Sequence, residues 1–367
     1  MVQTAIPTHG GNLKWAAAIA QCSPGEILDF SASINPLGPP QSVLNALQNA
    51  IENQRALTAY PDPNYTRLRE AIAQHHHIDP DWIFPGNGAA ELFTWIARDC
   101  VNCSTVYLPV PAFADYGRAL KALDIPITPI PLSLEPGNTH LPWARSPRPP
   151  SALWLNNPHN PTGRLWSADT IRQRLAETAE ALELVAIDEA FMDFLPPEQQ
   201  QSLIHQVTEY PQLVIVRSLT KFYSIPGLRL GYAIAHPDRL KRWQTWRDPW
   251  CVNALAEVAG LAALGDRDFV QKTWRWLSAA RENLQQRIGQ LPGMAVYPGA
   301  ANYLLVKSAV SVSAMQQQLL MGDAIAIRNC ATFPELGDRY FRVAVRTPSQ
   351  NEQLVSALCK GLRATQT

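Results

Sequence analysis

Three observations predict an α/β fold built from βαβ units and followed by a smaller domain. Up to about Pro249, short apolar runs alternate with amphipathic stretches, the pattern of strands joined by crossover helices. Groups able to hold a ligand fall at the ends of those apolar runs, where open α/β sheets bind their ligands. Beyond Pro249 the pattern changes to long helices and then to an α+β tail.

Residues 1–40 carry Pro and Gly clusters with little periodicity, and they predict an arm that packs with the smaller domain. Residues 41–250 form the expected large domain and 251–367 the small one. The helical stretch REAIAQHHH stops before the turn signal Asp79-Pro80. Neighbouring helix positions point in different directions, so His75, His76 and His77 cannot chelate one ion together, and a solvated helix end is expected. Gly86-Asn87-Gly88 precedes a helical pattern over Leu92–Cys100. Apolar runs predict strands at Thr105–Leu108, Ala152–Leu155, Leu184–Asp188, Leu213–Arg217 and Leu230–Ala235, with a helix over Ala168–Glu183. The Pro-rich stretch Pro142–Pro150 reads as a surface connection, because strand-like sequence resumes on either side. The tail holds expected helices at Asn253–Leu264 and Arg267–Leu291, then apolar segments at Ala301–Val306 and Tyr340–Val345.

With 367 residues, 46% hydrophobic and 17% charged, the chain is long enough for two domains of ordinary globular chemistry. Thirty-one basic groups balance thirty-one acidic ones, so no basic footprint points to nucleic acid or an anionic membrane. No apolar run reaches the roughly 18 residues that span a bilayer, and the start lacks a basic region before an apolar core, so a cytoplasmic protein is expected. Six scattered cysteines are too few for a disulfide framework. Cys100 and Cys103 make a single C-x-x-C with no second pair, so no structural metal is expected.

The chemistry concentrates in RSLTKFYSIPGLRLGY, Arg217 to Tyr232. Lys221 stands three residues after Ser218 and eight before Arg229. That spacing suits a covalent pyridoxal 5'-phosphate site, with the amine as the attachment point and the hydroxyl and guanidinium holding the phosphate. Pro226 and Gly227 interrupt any continued helix or strand, so the segment is a shaped loop. Asp188 closes the run LELVAID and is the candidate partner for the pyridine nitrogen, keeping it protonated. Asn160, in NNPHNPTG, is the candidate donor to the phenolic oxygen. Gly88 and Ala89, opening a helix, are the phosphate-cradle candidates, and Phe113 is the candidate for stacking on the pyridine face.

In this order the motifs resemble the fold-type I pyridoxal-phosphate enzymes related to aspartate and histidinol-phosphate aminotransferases, over nearly the whole chain. The resemblance implies a fold-type I transferase: a large domain with a mostly parallel seven-stranded sheet, a smaller α+β domain, and a homodimer. In it Tyr60 reaches the neighbouring subunit's cofactor phosphate. His9-Gly10-Gly11-Asn12, the stretch DFSASINPLG from Asp29, the TKFYSIPGLRLGY form of the lysine motif and PGAANY from Pro298 resemble the threonine-phosphate decarboxylase branch. That likeness implies decarboxylation of L-threonine O-3-phosphate to (R)-1-amino-2-propanol O-2-phosphate in cobalamin biosynthesis. Arg342 then matches the carboxylate-binding arginine, and His9, Gly10, Asn35 and Arg328 match positions that contact the substrate, with Asn160 beside them. Phe191 departs from the many aminotransferases that have a tyrosine there, and the decarboxylase branch shares the phenylalanine. A histidinol-phosphate aminotransferase is the alternative. A pyridoxal-phosphate-binding regulator has no DNA-binding segment to support it.

Overall fold

The structure, a computed structural model, describes residues 6–135, 138, 140–144 and 147–364, the last two without their side chains. The first five residues of the expected arm, two residues of the Pro142–Pro150 connection and the last three of the expected small domain lie outside them. The described strands are β1 (Leu28–Asp29), β2 (Ile83–Gly86), β3 (Thr105–Val110), β4 (Ile127–Pro131), β5 (Ser151–Asn156), β6 (Leu182–Asp188) and β7 (Leu213–Ser218). After them come β8 (Gly231–Ala235), β9 (Met294–Tyr297), β10 (Tyr303–Ser308), β11 (Ile325–Ala326), β12 (Arg328–Asn329) and β13 (Tyr340–Ala344).

The chain divides into two compact units, the larger comprising Leu37–His159 and Leu165–Thr273. Its seven-stranded sheet runs β2-β8-β7-β6-β5-β3-β4. The five strands from β7 to β4 are parallel, and β8 runs antiparallel to both β7 and β2. Every residue of β5, β7 and β8 is buried, so these strands read as unbroken apolar runs rather than alternating ones. One face packs on Leu92, Phe93 and Ile96 of the helix Ala89–Asp99, which meet Val106, Trp154, Leu184 and Val214. Fully burying each such side chain contributes about 1.5–3 kcal/mol.

All five expected strands of this sheet form, with ends shifted by one or two residues. The two strands absent from the reading are its edges, β2 and β4. Both contain proline, which an edge tolerates because one side of the strand needs no donor, and proline also breaks the apolar signal. The helix over 168–183 ends early, at Thr178. Leu182 and Leu184 are buried with Glu183 exposed between them, an alternation that sheet packing satisfies and a helix does not. The histidine cluster is not simply a solvated end either: His76 Nε2 lies 2.7 Å from the Tyr232 hydroxyl, while His77 closes the helix with φ 56°.

The smaller unit comprises residues up to Pro36, Asn160–Arg164 and Trp274 onward. A four-stranded antiparallel sheet, β12-β13-β10-β9, forms its core, and β1 pairs in parallel with β11. Ala16, Ala17 and Ile27 pack against Leu320 and Ala326, tying the helix Leu13–Ala20 into the unit. No described helix is long and apolar enough to cross a membrane.

Candidate active site

In the larger unit the candidates gather where β6 and β7 end and the helix Ala89–Asp99 begins. Lys221 sits in the single helical turn Leu219–Phe222 directly after β7, and its Nζ lies 5.1 Å from the centre of the Phe191 ring. Asp188, the last residue of β6, is 7% exposed. Its Oδ2 accepts a 2.5 Å hydrogen bond from the Tyr116 hydroxyl and its Oδ1 a 2.9 Å bond from the Ala190 N–H. Burial raises the Asp188 pKa, while the Tyr116 bond and the charge of Lys221 pull it back. Phe113 is half-buried three residues before Tyr116, and the two rings meet edge to face at 5.5 Å.

Gly88 opens the helix Ala89–Asp99 with φ 75°, in the left-handed region that favours glycine. A Cβ there would come within 2.4 Å of Arg229 Nη2, so the guanidinium rests against the glycine where the helix begins. The Ser218 and Thr220 hydroxyls are 2.8 Å apart and buried, and Arg229 holds the Pro226 carbonyl at 3.2 Å from a left-handed φ of 59°. Backbone N–H groups at a helix start, a hydroxyl and a guanidinium together match a dianionic phosphate. A buried carboxylate matches a protonated ring nitrogen, and the lysine amine matches an aldehyde. These residues fit pyridoxal 5'-phosphate.

Tyr60 stands apart from this group: it is 79% exposed and packs against Trp250 with the rings tilted by 31° and their centres 4.6 Å apart. Asn156 and Asn157 serve the scaffold instead. The Asn156 amide donates to the Asp188 carbonyl, and Asn157 exchanges side-chain bonds with the Trp166 backbone.

In the smaller unit Arg328 and Arg342 face each other across the β12–β13 ladder. Both are buried, at 6% and 9% exposure, and neither forms an ion pair among the described residues. Arg342 Nη1 donates to the Asn160 Oδ1 at 2.5 Å, its guanidinium lies 4.6 Å over the Tyr303 ring, and its buried Nε has no hydrogen-bond partner among the described residues. Arg328 donates to the Pro7 and Thr8 carbonyls and the Thr332 hydroxyl. Burial and the neighbouring Arg342 charge bring its pKa down to about 10, which still leaves it charged at neutral pH. A small cavity beside it is lined by His9, Gly10, Ser31 and Asn329. A Cβ on Gly10 would lie 2.1 Å from the Ser31 carbonyl oxygen, so only glycine lets the arm lie this close. Asn35 is buried at 1% exposure. Arg346 is turned to scaffold duty, donating to the Asp29 carbonyl at 3.0 Å.

Sequence reading missed Tyr116. The available signal was its place three residues after Phe113 at the start of the helix Ala114–Lys121, with an aspartate partner that only the fold brings near. Tyr116→Phe is expected to leave Asp188 buried with one donor fewer, raising its pKa further. It should cost roughly 1–3 kcal/mol of apoprotein stability at neutral pH, read by denaturant unfolding. Unchanged stability would mean that the bond contributes nothing.

The aminotransferase class I and II family profile matches residues 25–358. The threonine-phosphate decarboxylase of Salmonella typhimurium is 40% identical over 95% of this chain and 95% of its own length. The adenosylcobalamin biosynthesis bifunctional protein CobDQ of Leptospira interrogans is 32% identical over 96% of this chain and 41% of its own. Among solved structures, L-threonine-O-3-phosphate decarboxylase from Porphyromonas gingivalis superposes with a TM-score of 0.80 at 25% identity, covering 91% of this chain and 99% of that one.

Proposed function

Since the chain belongs to the aminotransferase class I and II family, with its fold-type I architecture, we propose that it is a pyridoxal 5'-phosphate-dependent carboxy-lyase. Its substrate is L-threonine O-3-phosphate and its products are (R)-1-amino-2-propanol O-2-phosphate and CO2, in cobalamin biosynthesis. The observation that carries this reading is the Arg328–Arg342 pair, two buried guanidiniums opposed on one ladder with no carboxylate partner among the described residues. Such a pair calls for a substrate with two anionic groups, and an amino acid bearing a phosphate has them. The extended likeness to threonine-phosphate decarboxylases supports the choice of amino acid.

Pyridoxal phosphate, when bound, supplies a ring that accepts the electron pair left by a breaking bond at the substrate Cα. Lys221 would hold it through the amine, and Asp188, steadied by Tyr116, would keep a negative charge for the ring nitrogen. The Gly88 and Ala89 backbone, Ser218 and Arg229 would hold its phosphate, Phe113 would stack on the ring, and Asn160 would donate to its phenolic oxygen. Arg342 holds the substrate carboxylate, with Asn160 as its neighbour. Arg328, His9, Gly10 and Asn35 would contact the substrate, and some of these groups would bind its phosphate. By fixing the carboxylate, Arg342 would set which bond at the substrate Cα is presented for cleavage, and so would favour loss of CO2 over transamination.

The protein is further read as a cytoplasmic homodimer in which Tyr60 reaches the neighbouring subunit's cofactor phosphate. The exposed aromatic pair Tyr60 and Trp250, with Leu57 nearby in sequence at 59% exposure, supports an interface there. Incubation of the cofactor-loaded enzyme with L-threonine O-3-phosphate is expected to release CO2 and form the phosphorylated amino alcohol. Keto-acid formation without CO2 would replace this reading with the aminotransferase one.

A further inference from the structure

We propose that the buried triad Glu189, Arg217 and Asp193 is a positioning device for the cofactor anchors, an inference that rests on the pyridoxal-phosphate reading above. Arg217 is 1% exposed and Glu189 is fully buried. Arg217 Nε lies 3.0 Å from Glu189 Oε2, and its Nη1 lies 2.5 Å from Asp193 Oδ1. Its Nη2 also donates to the Ser202 hydroxyl at 3.1 Å. Glu189 accepts further bonds from the Ser202 hydroxyl at 2.7 Å and the Leu203 N–H at 2.9 Å.

Burying such a group of charges is expensive, and apolar side chains of similar volume generally serve stability as well or better. The fold alone therefore does not call for these ions. Their location does. Glu189 directly follows Asp188, and Arg217 directly precedes Ser218. Successive strand residues point to opposite faces, so Arg217 is directed away from the face that Ser218 presents. Asp188 is opposite Val216 in the parallel ladder, and the Glu189 N–H continues it with a 2.8 Å bond to the Val216 carbonyl. The triad thus pins the ends of β6 and β7 together from behind. Asp193 extends the clamp to the short turn Met192–Phe194, just after Phe191, whose ring faces the Lys221 amine. Asp188, Phe191, Ser218 and Lys221 accordingly share one fixed back plate.

The test compares wild type with the charge-free triple variant Glu189→Gln/Asp193→Asn/Arg217→Met, which leaves no member of the triad as an unpaired ion, and with Arg217→Lys, which keeps the charge but loses the fork. Apoprotein folding is followed by circular dichroism, and pyridoxal phosphate affinity and the absorption maximum of the bound cofactor by titration. The charge-free triple variant is expected to fold, to bind cofactor roughly tenfold or more weakly, as loss of supporting partners does elsewhere, and to show a shifted absorption maximum. Arg217→Lys should recover part of the affinity. If the triple variant does not fold, Arg217→Lys alone decides, by weakened affinity with a shifted band. A folded variant with wild-type affinity and spectrum would overturn the positioning role. Wild-type protein that binds no pyridoxal phosphate would instead overturn the cofactor reading beneath it.

Discussion

Lys221→Ala is expected to abolish CO2 release from L-threonine O-3-phosphate, lowering kcat by about four orders of magnitude or more, the scale on which removing an essential nucleophile acts. The substitution deletes the only group in the loop able to attach covalently to an aldehyde. It should also remove the absorption band that the bound cofactor owes to the lysine. Because Lys221 lies partly exposed in a single helical turn, the apoprotein should fold as wild type does. Pyridoxal phosphate should still bind without the covalent link, through Gly88, Ala89, Ser218 and Arg229. Retained turnover in this variant would rule out Lys221 as the attachment point.

Asp188→Asn should lower kcat by roughly two to three orders of magnitude, because a neutral amide cannot hold a proton on the ring nitrogen as a carboxylate does. Stability should move the other way. Burial raises the Asp188 pKa above its unfolded value, so its favourable contribution is complete below the unfolded pKa and is lost as pH rises through the folded one. At neutral pH the buried carboxylate therefore weakens the apoprotein, and the isosteric amide should not lower its unfolding midpoint. The paired measurement is kcat together with apoprotein denaturation at neutral pH. A variant that loses activity and stability in parallel would make Asp188 a structural residue instead.

The interior of the large sheet was legible because β5, β7 and β8 are buried on both faces, and that burial writes continuous apolar runs into the chain. Its edges were not. Ile127–Pro131 carries two prolines in five residues and reads as a connection until a neighbouring strand is present to pair with it. The candidate lysine loop was legible for a different reason. Ser218, Lys221 and Arg229 lie within twelve residues, so local spacing already implies that they act together. Tyr116 and Asp188 are 72 residues apart, and nothing in either neighbourhood announces the other.

By itself the sequence determined the alternating α/β plan, the chemical identity of the groups at the strand ends and, through its motifs, the likeness to pyridoxal-phosphate enzymes. Each of these is written in short-range periodicity or in residues close along the chain. Tertiary structure alone decided which partners those groups keep. It set Tyr116 against Asp188, opposed Arg328 to Arg342, and sealed Glu189, Arg217 and Asp193 behind the ends of β6 and β7. The reason is physical: a buried charge takes its pKa and its orientation from neighbours that only long-range packing supplies.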